Sequence, residues 1–250
     1  MKRIVITGAD GVIGSVLVAN LRNDFDLIPL SHRECDLTKF EEVVSTISNN
    51  TDVIIHLAWD KKPIYEAGKL NADNILMALN VFEAAVKRKV KRVILASSIH
   101  ADLSLFQVGG RARGAPSSAQ LRRSIPVFSA KFTPRVNPIY ASKRVSSHDT
   151  DKRALDGAVR GQDPPEIPTS IYGATKIYFE ALGRYYATYH HLEVVAIRFG
   201  GVNRENSPAA KKEPNYDKIF LSHQDLIKIV RKYIDYEKIS NNYLCHNTLI

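Results

Sequence analysis

Short apolar runs alternate with longer amphipathic stretches: RIVITG then GVIGSVLVANLRN, DLIPL then TKFEEVVSTISN, DVIIHLA then LNADNILMALNVFEAAVKRK, and finally RVILASS ending at Ser98. Runs that are apolar at successive positions suit strands buried on both faces, and such strands are parallel. Parallel neighbours need a crossover, and here each crossover has the period of a helix. The expected fold class is therefore α/β, a doubly wound parallel sheet. The rhythm resumes with SIYGATKIYFEALGRYYATYHH as a helix, LEVVAIRFG as a strand, SHQDLIKIVRKYIDYEKI as a second helix with Ser222 as its N-cap, and NYLC as a last strand.

With 250 residues, 44% of them hydrophobic, the chain can bury one substantial core. We expect a nucleotide-binding domain over residues 1–200 and a short substrate-side region over 201–250. A basic insertion, 103–163, interrupts the first. It holds eleven Lys and Arg against four Asp, so it carries seven of the nine net positive charges of the chain. The basic character belongs to that segment and not to the fold. Its aromatic residues, Phe106, Phe128, Phe132 and Tyr140, are too few to stack single-stranded bases, so nucleic acid is not an expected partner. Cys35 and Cys245 make no disulfide framework or metal cluster, which suits a reducing, cytoplasmic setting without a metal. No run is apolar enough to span a membrane.

The first strand runs into VITGADGVIG. Gly8, Gly11 and Gly14 permit a tight turn, close approach of the backbone to a pyrophosphate, and close packing of helix on strand. Asp10, Val12 and Ile13 lie among them and are assigned to the same site, where the helix N-terminus offers free N–H groups. This is the Rossmann arrangement for a dinucleotide. At the tip of the second strand stand Ser31 and Arg33, a hydroxyl and a guanidinium suited to a 2′-phosphate, so the reading leans to NADP over NAD. Asp36 is placed either at the adenine amino group or as the cap of a helix beginning near Lys39.

The glycine spacing, HLA at 56–58, Asn71, ASS at 96–98 and YGATK at 172–176 together resemble the extended short-chain dehydrogenase/reductase family, also called the NAD-dependent epimerase/dehydratase family. The resemblance covers residues 1–102 and about 164–250. It implies an active site of Ser98, Tyr172 and Lys176, with Lys176 also holding the cofactor beside Leu57, Ala58 and Asn71. Ser98, Tyr172, His100 and Gly201 would contact the substrate. ASSIH, VAIRFGGVN and IFLSHQDL look like the branch with uronate dehydrogenases and archaeal glucose-6-phosphate dehydrogenases, which oxidise C1 of a hexose. Ile99 stands where that branch has Asn. SHRECDLT instead looks like the dTDP-4-dehydrorhamnose reductases, and a nucleotide-sugar epimerase would use the same residues. A non-catalytic cofactor-binding protein is the remaining reading. Arg198, Arg204, Lys211 and Lys212 are candidate partners for an anionic sugar.

The chemistry asked of Tyr172 is demanding. A free phenol ionises near pH 10, so work as a base near neutrality needs the phenolate favoured by about 3 pKa units, or roughly 4 kcal/mol. Lys176, one helical turn away, is expected to help supply that. Tyr140 and Lys143 imitate the pair at a spacing of three, but no apolar periodicity follows them. Tyr178, Tyr185, Tyr186 and Tyr189 lie along the helix of the active-site pair and suggest a homodimer, as is usual in the resembled family.

Overall fold

A computed structural model describes residues 1–60, 71–102, 167–212 and 216–248. All of them belong to one compact unit, Met1–Phe106 with Glu166–Ile250. Six parallel strands, β1 (Arg3–Thr7), β2 (Asp26–Leu30), β3 (Val53–His56), β4 (Arg92–Ser98), β5 (Glu193–Phe199) and β6 (Tyr243–Asn247), form one sheet in the order β2-β1-β3-β4-β5-β6. The helices are α1 (Val12–Leu21), α2 (Phe40–Thr46), α3 (Ala72–Lys87), α4 (Ile171–Tyr189), α5 (Tyr216–Ile219) and α6 (His223–Asp235). The α/β reading from the apolar runs holds, including the Ser222 cap, whose hydroxyl accepts from the Asp225 N–H. The sheet continues past residue 200, because β6 pairs with β5.

Successive side chains on a strand point to opposite faces, and that alternation sorts the core into two layers. Val5, Ile54, Val93, Leu95, Val194 and Ala196 pack with α2, α3 and α4. Ile4, Ile6, Ile55, Ile94, Val195 and Ile197 pack on the other face with α1 and α6. Each of these apolar side chains stabilises the fold by about 1.5–3 kcal/mol where fully buried, so the double-sided strands carry much of the stability. The same parity puts Thr7, His56, Ser97 and Arg198, two residues beyond Val5, Ile54, Leu95 and Ala196, on the face covered by α4. Polar groups there lie at the carboxyl ends of the strands, under the helix that holds Tyr172 and Lys176.

The strand order reverses between β1 and β3, and a crevice opens at such a reversal. The turn after β1 fits it closely. Gly8 has φ +68°, and a Cβ there would sit 2.8 Å from the Ala58 backbone after β3. A Cβ on Gly14 would lie 2.2 Å from the Gly8 carbonyl oxygen, so only hydrogen lets α1 begin this close to the turn.

Candidate active site

A cavity of about 580 Å³ occupies the crevice and is lined by Gly8, Asp10, Ser31, Asp36, Ala58 and Trp59 among others. Gly11 caps α1 without a side chain, and Val12 and Ile13 follow it into the first turn, where N–H groups have no intrahelical partner. A cradle that any Cβ would fill, facing a helix N-terminus, fits a pyrophosphate. The residues present therefore suit a dinucleotide, with Gly8, Gly11 and Gly14 shaping its seat.

The tip of β2 differs from expectation. The Ser31 hydroxyl and N–H both donate to the Glu34 carboxylate, the latter at 2.7 Å. These bonds, the side-chain one foremost, hold the Glu34 carboxyl below the usual carboxylate range. Ser31 is thus not the available donor that the sequence reading gave to a 2′-phosphate. Arg33 contributes its N–H to the Ser31 oxygen at 3.2 Å. Asp36 does not cap α2, whose N-cap is Lys39; its carboxylate accepts from the hydroxyl and N–H of Thr38 while still lining the cavity. Leu57 bonds back to β1 through its N–H, at 3.2 Å from the Thr7 carbonyl. Asn71 is the N-cap of α3: its oxygen accepts from the Asp73 N–H and its amide donates to Asp60 at 3.0 Å.

The structure brings Ser98, His100, Tyr172 and Lys176 together. Ser98 ends β4, and its hydroxyl oxygen accepts from the His100 N–H in the short turn Ile99–Ala101. Helix α4 is preceded by its N-cap Ser170, whose hydroxyl accepts from the Gly173 N–H at 3.1 Å. A Cβ on Gly173 would stand 2.0 Å from the His100 carbonyl oxygen, so glycine lets the first turn of α4 lie on that loop. This is why the YGATK glycine matters locally: it brings Tyr172 to Ser98. The His100 ring reaches across to Thr169, Nδ1 to Oγ1 at 2.8 Å, and lies 6.0 Å from the Tyr172 ring.

Lys176 is only 4% exposed. Its ammonium donates to the Ala96 carbonyl at 3.0 Å, and burial pulls its pKa down to about 7 against the upward pull of Glu180. Burial likewise raises the pKa of Tyr172, while a hydrogen bond from Ser98 works the other way. The expected depression by Lys176 is therefore not what the protein's own groups produce. A cation half neutralised by burial at pH 7 is a weak lever on a phenol that is itself desolvated. His56 is buried with Nδ1 2.9 Å from the Thr7 hydroxyl, and desolvation first, then Lys176, lowers its pKa to about 3, so it is neutral.

Two features escaped the sequence reading. Glu180, one turn beyond Lys176, is fully buried; it accepts from Arg198 through both oxygens at 2.8 and 2.7 Å and from the Ser97 hydroxyl. Arg198 is thus a core residue and not a sugar contact. The other is Trp59, next to the HLA motif, whose ring lies 4.1 Å from the Lys176 ammonium. Gly201 sits at the same end of the sheet in a bridge with Phe220, and a Cβ there would meet the Tyr216 ring at 2.5 Å. Arg204, Lys211 and Lys212 are exposed. Tyr140, Lys143 and the basic segment 103–163 lie outside the described residues, and no group of metal-ligating side chains is found among the described ones.

Residues 4–102 match the family described as NAD dependent epimerase/dehydratase. That span is an epimerase/dehydratase family domain. The chain is 28% identical over 207 residues to L-arabinose 1-dehydrogenase (NAD(P)(+)) of Haloferax volcanii, covering 80% of this chain and 67% of that one. It is 25% identical over 238 residues to the NAD-dependent glucose-6-phosphate dehydrogenase of the same organism, covering 89% and 76%. The solved uronate dehydrogenase from Agrobacterium tumefaciens superposes with a TM-score of 0.60 at 19% identity, over 99% of this chain and 77% of that one, which is a likeness of fold.

Proposed function

We propose that this epimerase/dehydratase family protein is an NAD(P)-dependent sugar dehydrogenase that oxidises the C1 hydroxyl of a small sugar, a uronate, an aldose or a hexose phosphate, to the lactone. The observation that carries the reading is the meeting of Ser98, Tyr172 and Lys176 at the end of the glycine-lined crevice. Ser98 would orient the sugar hydroxyl, and Tyr172 would take its proton as C1 is oxidised. His100 and Gly201 are proposed to line the sugar site, with Asp10, Val12, Ile13, Leu57, Ala58 and Asn71 at the cofactor. The nicotinamide, when bound, accepts hydride and places a positive charge near the phenol, which favours the phenolate that burial opposes. The names of the relatives support a sugar substrate. Turnover of uronates, aldoses and hexose phosphates with either nicotinamide, followed at 340 nm, tests it. Net reduction of cofactor supports a dehydrogenase; turnover of a nucleotide-sugar without net absorbance change would make the protein an epimerase.

We further propose that NAD is preferred, because the ionised Glu34 at the β2 tip would repel a 2′-phosphate. The expected result is a kcat/KM with NAD about tenfold above that with NADP, narrowing to near unity in Glu34→Gln. A homodimer through α3 and α4 is proposed from the side chains left exposed there: Leu76 (41%), Tyr178 (42%), Tyr185 (49%) and Tyr189 (70%), whereas Tyr186, expected among them, is buried in the core against Phe82. Light scattering should give twice the mass of the chain, and Tyr185→Glu should return one copy. A cytoplasmic setting is the accompanying proposal, supported by cysteines that form no disulfide, Cys35 in the core and Cys245 on β6. No described helix is long and apolar enough to cross a membrane.

A further inference from the structure

Trp59 belongs to both halves of the site. Its ring helps line the cavity in which the dinucleotide is read to sit. Among the described residues it is also the aromatic ring nearest the Lys176 ammonium, at 4.1 Å against 5.1 Å for Phe179 and 5.4 Å for Tyr172. The Tyr172 ring meets the indole at 89° with centroids 5.1 Å apart, and Phe179 braces it from α4 at 5.8 Å. An ammonium has three N–H groups to satisfy. The Ala96 carbonyl takes one, and in a site this dry the negative face of an indole is a strong substitute for water.

We propose that Trp59 is a positioning residue: its indole seats the Lys176 ammonium and abuts the Tyr172 ring, fixing the pair at the end of the crevice. The inference rests on the proposed function for its catalytic meaning, but the contact itself is testable without turnover. Trp59 is the one tryptophan in the chain, so intrinsic emission reports this indole alone. Titrating the wild-type protein should show an emission transition as Lys176 loses its proton, with a midpoint near 7. Among the described residues, the other titratable groups around the pair are Glu180 and Tyr172 on α4, His56 on β3, His100 in the turn after β4 and Asp60 beside the indole. His56, at about 3, is silent in this window, and His100→Gln controls for the remaining imidazole. The transition should survive His100→Gln and vanish in both Lys176→Arg and Lys176→Met. Persistence of the transition in both lysine variants, or a wild-type emission spectrum that Lys176→Met leaves unshifted at every pH, would overturn the proposal.

With a substrate in hand, Trp59→Ala should lower kcat about tenfold while sugar KM stays within about threefold, and Trp59→Phe should recover most of the loss. An unchanged kcat in a folded Trp59→Ala protein would also overturn it, and should that variant fail to fold, the emission titration decides. Failure of the dehydrogenase reading looks different: no sugar reduces either nicotinamide, yet the emission titration still follows Lys176.

Discussion

Replacing Tyr172 with Phe should lower kcat about a thousandfold while cofactor affinity stays within about twofold. The variant removes one oxygen from a half-buried ring and leaves the packing against Trp59, so folding is spared. What is lost is the group proposed above to take the sugar proton. Because burial holds the phenol above its ordinary value, only a minority of molecules carry the phenolate at neutral pH. Wild-type oxidation should therefore speed up as pH rises, close to tenfold per unit below the phenol's pKa, and the residual rate of the Phe variant should be flat. A Phe variant that kept the wild-type rate and its pH dependence would remove Tyr172 from the reaction.

The second large effect is structural. Glu180→Ala should destabilise the fold by about 3–5 kcal/mol, read from urea unfolding, because it takes from the buried Arg198 guanidinium its two bonds to a fully buried carboxylate. Arg198 is 3% exposed, and Glu180 bonds it through both oxygens, at 2.8 and 2.7 Å. Its 3.4 Å contact with Asp102 is longer than either of these bonds. The same carboxylate is what holds up the pKa of Lys176, so its loss should push that lysine further below about 7 and leave more of it neutral at pH 7. The sign for stability follows from proton counting. A lysine that ionises near 7 when folded and near 10.4 when unfolded binds fewer protons folded than unfolded between those values, so Lys176 makes stability rise with pH across that window. In Glu180→Gln the rise should begin at lower pH. An alanine variant as stable as wild type would mean that the Asp102 carboxylate or water takes over the Arg198 charge.

Much of this was readable from the chain because burial on both faces leaves a simple mark. DVIIH and VILASS admit little but central strands, and the glycines after β1 had a geometric task that the +68° turn at Gly8 makes plain. The meeting of Ser98, Tyr172 and Lys176 was legible through their motif, not through physics, since the electrostatics run opposite to expectation once burial is counted. Glu180 was missed although its signal was present: Tyr172, Lys176 and Glu180 recur every four residues, and a carboxylate on the buried stripe of a helix calls for an internal cation. Ser31 and Glu34 have the S-x-x-E spacing by which a carboxylate reaches back to the N–H that starts a turn, a pattern that the phosphate reading left out of account. Trp59 left no periodic mark. Nothing in a single loop residue says which helix will fold over it.

The bonds between Thr169 and His100 have a consequence for how such a site tolerates extra chain. The Thr169 N–H donates to the His100 carbonyl at 3.0 Å and its hydroxyl meets the imidazole at 2.8 Å, so the polypeptide departs and returns through one knot beside the serine. Closing a loop costs only about 0.6 kcal/mol more for each doubling of its length. A knot tied at the exit makes the reacting groups indifferent to how many residues are spliced in beyond it, and an enzyme of this plan can acquire a new appendage without surrendering its chemistry.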